Sequence, residues 1–157
     1  MSVNETLSET LKNNKQLVRR LYEDCINPGK VELIAQYIAD DYVGSPGGEK
    51  GPAEATNTIV ALRTGFPDIR FEVEDLIAEG DRVTVRWTFQ ATHMGAFRGV
   101  PPSRKQVTQT GNVIYQVRDG KFIRAWTQID RLGMLQQIGA IPASFVGRNP
   151  AGHVKEK

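Results

Sequence analysis

The chain has 157 residues, with 20 Lys and Arg against 18 Asp and Glu for a net charge of +2, and 39% of it is hydrophobic. This is enough for one domain with a core of its own, and the basic residues are scattered apart from Arg148, Lys155 and Lys157 near the end, so no nucleic-acid partner is expected. The lone Cys25 has no disulfide partner, no charged-then-apolar leader opens the chain, and no apolar run approaches the ~18 residues of a membrane span, so a cytoplasmic protein with no membrane partner is the expectation.

The N-terminal third has helical period. Leu7, Leu11, Val18, Leu21, Tyr22 and Cys25 recur on one face, which predicts a helix from Glu5 to Asn27. Thr6 with Glu9 offers a capping box, and Pro28-Gly29 a stop. A shorter helix is expected from Val31 to Ile38, followed by a loop at Ser45-Pro46-Gly47-Gly48. A third helix is expected to begin at Pro52, carry Ala55, Ile59 and Leu62, and end near Gly65.

After Phe66-Pro67-Asp68 the period changes to two. Ile69, Phe71 and Val73 alternate with polar residues, as do Val83, Val85, Trp87 and Phe89. Glu79-Gly80-Asp81 and Asp119-Gly120 read as hairpin turns, with further strands at 106–117 and 121–130. A helical turn from Leu132 to Ile138 closes a domain of residues 1–142, and 143–157 reads as a loose tail carrying His153. Helices first and antiparallel strands after make an α+β fold with helices on one sheet face.

Three stretches carry a resemblance: N-K-Q-L-V-R-R-L-Y-E-D-C-I-N at 14–27, the FPD turn with T-H-M-G-A-F-R-G-V-P-P within 66–107, and W-T-Q-I-D-R-L-G-M-L-Q-Q-I-G within 119–142. In that order the chain resembles the SnoaL-like polyketide (ester) cyclases of the nuclear transport factor 2-like superfamily. The resemblance implies a cone-shaped fold with a curved sheet around a small-molecule pocket, a homodimer or higher oligomer, and no metal or organic cofactor. It also implies ring closure by intramolecular aldol condensation, a lyase or isomerase type of chemistry, with Asp130 at the position of the acid/base. Many relatives carry a histidine where this chain has Ala125, and another where it has Gly44 and Ser45. These departures favour an alternative, a non-catalytic binding or assembly protein of the same fold. An epoxide hydrolase would instead need an Asp-Arg-Asp cluster, for which Arg124 has the right strand parity.

Each candidate residue has a structural reading beside the functional one. Asp130 shares parity with Trp126 and Gln128, which would place all three on the pocket side, where desolvation would make the carboxylate a useful base; it is also well placed to cap the last helix. His93 would donate to a substrate carbonyl and stabilise an enolate, or fix the following loop. Gln109, Asn112 and Gln128 would orient a ligand or fix Asp130 where they face inward, and be solvated or in a subunit contact where they face outward; Gln109 and Asn112 differ in parity, so a regular strand turns only one of them inward. Trp126 would be a ligand platform or core, Tyr22 would reach the pocket with its hydroxyl, and Cys25 reads as a buried structural thiol. Two distant histidines offer no metal-ligand spacing, and no G-x-S-x-G is present, so nucleophilic hydrolysis and metal chemistry are not expected. The expected partner is a small hydrophobic carbonyl compound.

Overall fold

A computed structural model describes residues 2–45 and 50–146. Helix α1 (Val3–Arg20) starts at Ser2, whose hydroxyl accepts the Glu5 N–H while the Glu5 carboxylate accepts the Ser2 N–H at 2.6 Å. The capping box thus lies one turn earlier than Thr6 and Glu9. The first turns of α1 stand clear of the core, and Leu7 is 57% exposed; burial begins at Leu17 and Val18.

Residues Leu21–Ile26 continue α1 as a π turn, wider than an α-helix, with Leu21, Tyr22 and Cys25 buried. Asn27 then ties this turn to the sheet: its side-chain amide donates to the Phe71 carbonyl at 2.9 Å and accepts the Phe71 N–H at 2.8 Å. A 3₁₀ turn (Val31–Leu33) and a single-turn helix α2 (Ile34–Tyr37) lead directly into a strand, β1 (Ile38–Ser45). The second helix is therefore shorter than its apolar spacing suggests. Residues 46–48 of the expected loop lie outside the described residues. Helix α3 (Pro52–Gly65) follows, with proline at its first position.

Four strands complete the sheet: β2 (Arg70–Glu79), β3 (Arg82–Thr92), β4 (Gln106–Arg118) and β5 (Lys121–Ile129), in the order β1-β5-β4-β3-β2. The β2–β5 meander is antiparallel, and β1 adds a parallel pair with β5, so the sheet is mixed. Asp119 and Gly120 both have positive φ, 52° and 71°, the type I′ geometry that matches strand twist. The carboxylate of Asp68 accepts from the backbone N–H and the hydroxyl of Thr92, both at 2.8 Å, anchoring the FPD turn to the end of β3. Helix α4 (Arg131–Gln137) closes the described fold with a 3₁₀ turn (Ala143–Val146), and the rest of the expected tail, with His153, lies outside the described residues.

The inner sheet face carries Phe71, Val83, Val85, Trp87, Phe89, Val113 and Phe122, packed against α1, the π turn, α2 and α4. A bulge decides what β5 contributes. Val117 pairs with Phe122, but Gln116 pairs with Arg124, so β5 spends two residues where β4 spends one. Alternation is inverted beyond that point: Ala125 is buried, and Thr127 and Ile129 face inward with it. Trp126 and Gln128 face outward, which corrects the expectation that they share the pocket side. Asn112 is exposed opposite Gln128, also on the outer face. That face is formed by Thr84, Thr88, Thr110, Asn112 and Gln128, with Ile77, Ile114 and Trp126 among its large apolar groups.

Candidate active site

The π turn, α3, α4 and the inner sheet face enclose a cavity of about 910 Å³. Its wall is largely aliphatic and aromatic, with polar groups at a few points, the usual character of a small-molecule site. Three tyrosines share that polarity with Glu54, Gln109, Thr127, Arg98 and Arg131 among others. The Tyr22 hydroxyl on the π turn lies 3.1 Å from the Tyr115 hydroxyl on β4, and Tyr42 on β1 joins them in the wall. Burial pushes all three phenols above their ordinary pKa. The Tyr115 phenol and the Glu54 carboxylate raise Tyr42 further, and Tyr22 raises Tyr115. At neutral pH the three are therefore uncharged hydrogen-bond donors.

Glu54, in the first turn of α3, is the one carboxylate among the described residues lining the cavity. It accepts the Gly44 N–H at 2.9 Å, and a Cβ at position 44 would overlap its carboxyl group. The missing side chain of Gly44 is what lets Glu54 reach β1. Trp87 crosses the inner face over another glycine: a Cβ at Gly111 would lie 2.5 Å from Trp87 Cζ2. The indole N–H of Trp87 is near enough to Tyr22 to favour the phenolate slightly, but it is buried and has no hydrogen-bond partner.

Of the residues anticipated from the sequence, Tyr22 and Gln109 line the cavity. Gln109 is 3% exposed and donates through Nε2 to the Asp130 carbonyl at 2.9 Å. Asp130 itself is exposed, and its carboxylate accepts the Gly133 N–H at 2.8 Å as the N-cap of α4. The expectation that its side chain projects into an apolar cavity beside Trp126 is corrected on both counts: the bulge turns Trp126 out, and helix capping holds Asp130 at the rim. Its neighbours Ile129 and Arg131 do line the cavity. Trp126 instead stacks between Arg82 and Arg124, 5.1 and 5.5 Å from its ring, which also takes Arg124 away from any interior acid cluster.

His93 is fully buried beside the cavity but not in its wall. Ser103 donates its N–H to Nδ1 at 3.1 Å, with its hydroxyl 3.0 Å from the same nitrogen, and the ring packs 5.3 Å from Phe66. This places the ring proton on Nε2, which has no partner. The backbone of His93 pairs with Arg104 and Lys105, so the residue pins both ends of the 94–103 loop. That is the structural of its two readings. Among the described residues no cluster of three His, Cys, Asp or Glu could hold a metal ion, and no helix is long and apolar enough to cross a membrane.

Sequence patterning alone does not single out Glu54, Tyr42 or Tyr115. A signal for Tyr42 existed in its period-two relation to Gly44, legible only once residues 38–45 are recognised as a strand. Glu54 carried none, since an acidic residue in the first turn of a helix is ordinarily explained by the helix dipole.

A family model described as SnoaL-like polyketide cyclase matches residues 16–138. The chain belongs to this family. Solved structures of similar fold include AclR, a candidate hydroxylase from Streptomyces galilaeus, at 28% identity over 84% of each chain with a TM-score of 0.75. IdmH, a candidate polyketide cyclase from Streptomyces antibioticus, is 28% identical over 80% of this chain and 98% of its own, with a TM-score of 0.70. A candidate polyketide cyclase from Acidithiobacillus ferrooxidans is 30% identical over 88% and 97%, with a TM-score of 0.66. Comparison with curated proteins returns no match. In this member of the SnoaL-like family a carboxylate from α3 occupies the space that a side chain at position 44 would fill.

Proposed function

We propose that this SnoaL-like protein is an acid/base enzyme that closes a ring in a hydrophobic, carbonyl-bearing small molecule, with Glu54 as its base. The observation that carries this reading is Glu54, a carboxylate in the wall of a largely apolar cavity that also carries neutral phenolic donors. Glu54 takes the proton beside a carbonyl, leaving an enolate. The enolate carbon then forms a bond to a second carbonyl carbon of the same molecule, and the resulting alkoxide recovers the proton from Glu54. The cavity contributes by holding both carbons within reach, a positioning effect worth several kcal/mol of the barrier.

Asp130 is the second reading. It occupies the position of the family's acid/base, and it sits at the rim between two residues of the cavity wall. Turnover of an aromatic polyketide ester panel separates the two. Glu54→Gln keeps the acceptor for the Gly44 N–H and should lose about 10²–10⁴-fold in rate with little change in ligand affinity. Asp130→Asn keeps the helix cap, since Asn and Asp cap equally well, and should retain most activity. The opposite pattern assigns the base to Asp130, and ligand binding without turnover in the unaltered protein favours a binding protein.

A further inference from the structure

A buried part of the cavity wall carries a set of donors that the protein does not satisfy by itself. Tyr22, Tyr115 and Trp87 bring three polar hydrogens: two phenolic O–H and one indole N–H. The 3.1 Å contact between the two hydroxyls uses one of them, whichever tyrosine donates. The indole N–H, on a side chain only 5% exposed, uses none. One hydroxyl proton and the indole proton therefore remain, both in the wall of the same cavity. A buried donor without a partner is costly, so the arrangement persists at the expense of stability.

The electrostatic surroundings select among possible acceptors. Desolvation dominates the environment of both phenols, and the groups acting on them are other tyrosines and the Trp87 indole; Arg98 and Arg131 line the same cavity but do not act on either phenol. An anionic carboxylate would exchange full hydration for two neutral hydrogen bonds, an unfavourable trade in an apolar enclosure. A ketone or aldehyde oxygen gives up far less water and has two lone pairs in one plane for two donors. The aromatic wall beside it, where Phe71 lies edge-on to both Trp87 and Tyr22 at 4.8 and 5.6 Å, suits a flat ring system.

We propose that Trp87 and the Tyr22–Tyr115 pair form a two-donor receptor for a single uncharged carbonyl oxygen, so that the ligand enters ketone first with its ring system against Phe71. This rests on the cavity being the ligand site and deepens the function proposed above by fixing which end of the substrate lies innermost. Tyr42, whose phenol both Tyr115 and Glu54 raise, lies in the same wall as the receptor and the base.

A matched probe set tests it on the unaltered protein: 2-acetylnaphthalene, 2-isopropenylnaphthalene and 2-naphthoate share one ring system and differ in the group offered to the donors. Calorimetric titration should rank the ketone about tenfold tighter than the alkene, as two net hydrogen bonds imply, with the carboxylate weakest. The carbonyl stretch of bound 2-acetylnaphthalene should move to lower wavenumber than in hexane. Tyr22→Phe and Tyr115→Phe alone each free the surviving hydroxyl and should change ketone affinity less than threefold, whereas the double variant leaves Trp87 alone and should weaken the ketone toward the alkene. Ketone and alkene binding equally, or a carboxylate binding tightest, would overturn the receptor while leaving the cavity and Glu54 untouched. Failure of all three probes to bind would remove the cavity as ligand site, and the receptor with it.

Discussion

His93 and Glu54 exchange the roles their neighbours in sequence suggest. A histidine in a T-H-M-G segment invites a catalytic reading, yet its ring is sealed between Phe66 and Ser103 and meets no part of the cavity wall. What it holds is the 94–103 loop. His93→Ala should therefore lower stability by about 2–4 kcal/mol, through the void beside Phe66 and the orphaned Ser103 N–H, while the turnover of the folded fraction stays unchanged. Thermal melting read beside kcat checks this; a lower rate with an unaltered melting temperature would return His93 to the chemistry. Neither outcome could be read from local sequence, because burial of one side chain depends on which distant residue covers it. Tyr22 and Gln109 were legible since their periodicities, helical and period-two, survive into the structure.

At the scale of elements, two one-residue irregularities determine the site. The π turn carries Tyr22 into contact with Tyr115, and the β5 bulge sends Trp126 out and brings Ala125 and Thr127 in. Both interrupt the period on which sequence patterning relies, which is why the helix, the strands and their hairpins were legible while the pocket side of β5 was not. Residues 38–45 hid for a different reason: I-A-D-D-Y-V-G-S has too little alternation to announce a strand, and β1 exists because β5 offers it a parallel edge. The tyrosines these elements bury also set an alkaline limit. Their folded-state pKa values lie above the unfolded value of about 10, so their contribution is complete below that pH and is lost as pH rises toward the folded values. Each phenol should steepen the loss of stability above pH 10 by about 1.4 kcal/mol per pH unit. Denaturant midpoints between pH 9 and 11 measure it, and Tyr115→Phe should flatten the slope.

The whole molecule places a mixed sheet, a π turn and three helices around one apolar volume, and gives that volume a single described carboxylate and a group of neutral donors. The family and the fold were legible from three sequence stretches, whereas Glu54 was not, and Asp130, which the resemblance offers as the acid/base, is engaged in capping α4. The central claim is that Glu54 removes a proton beside a carbonyl. Proton abstraction is visible even when no ring closes, as exchange of the methyl protons of 2-acetylnaphthalene with D₂O followed by NMR. The account predicts exchange catalysed by the unaltered protein and by Asp130→Asn, and reduced about 10²-fold or more in Glu54→Gln. Equal exchange in the unaltered protein and Glu54→Gln would contradict it.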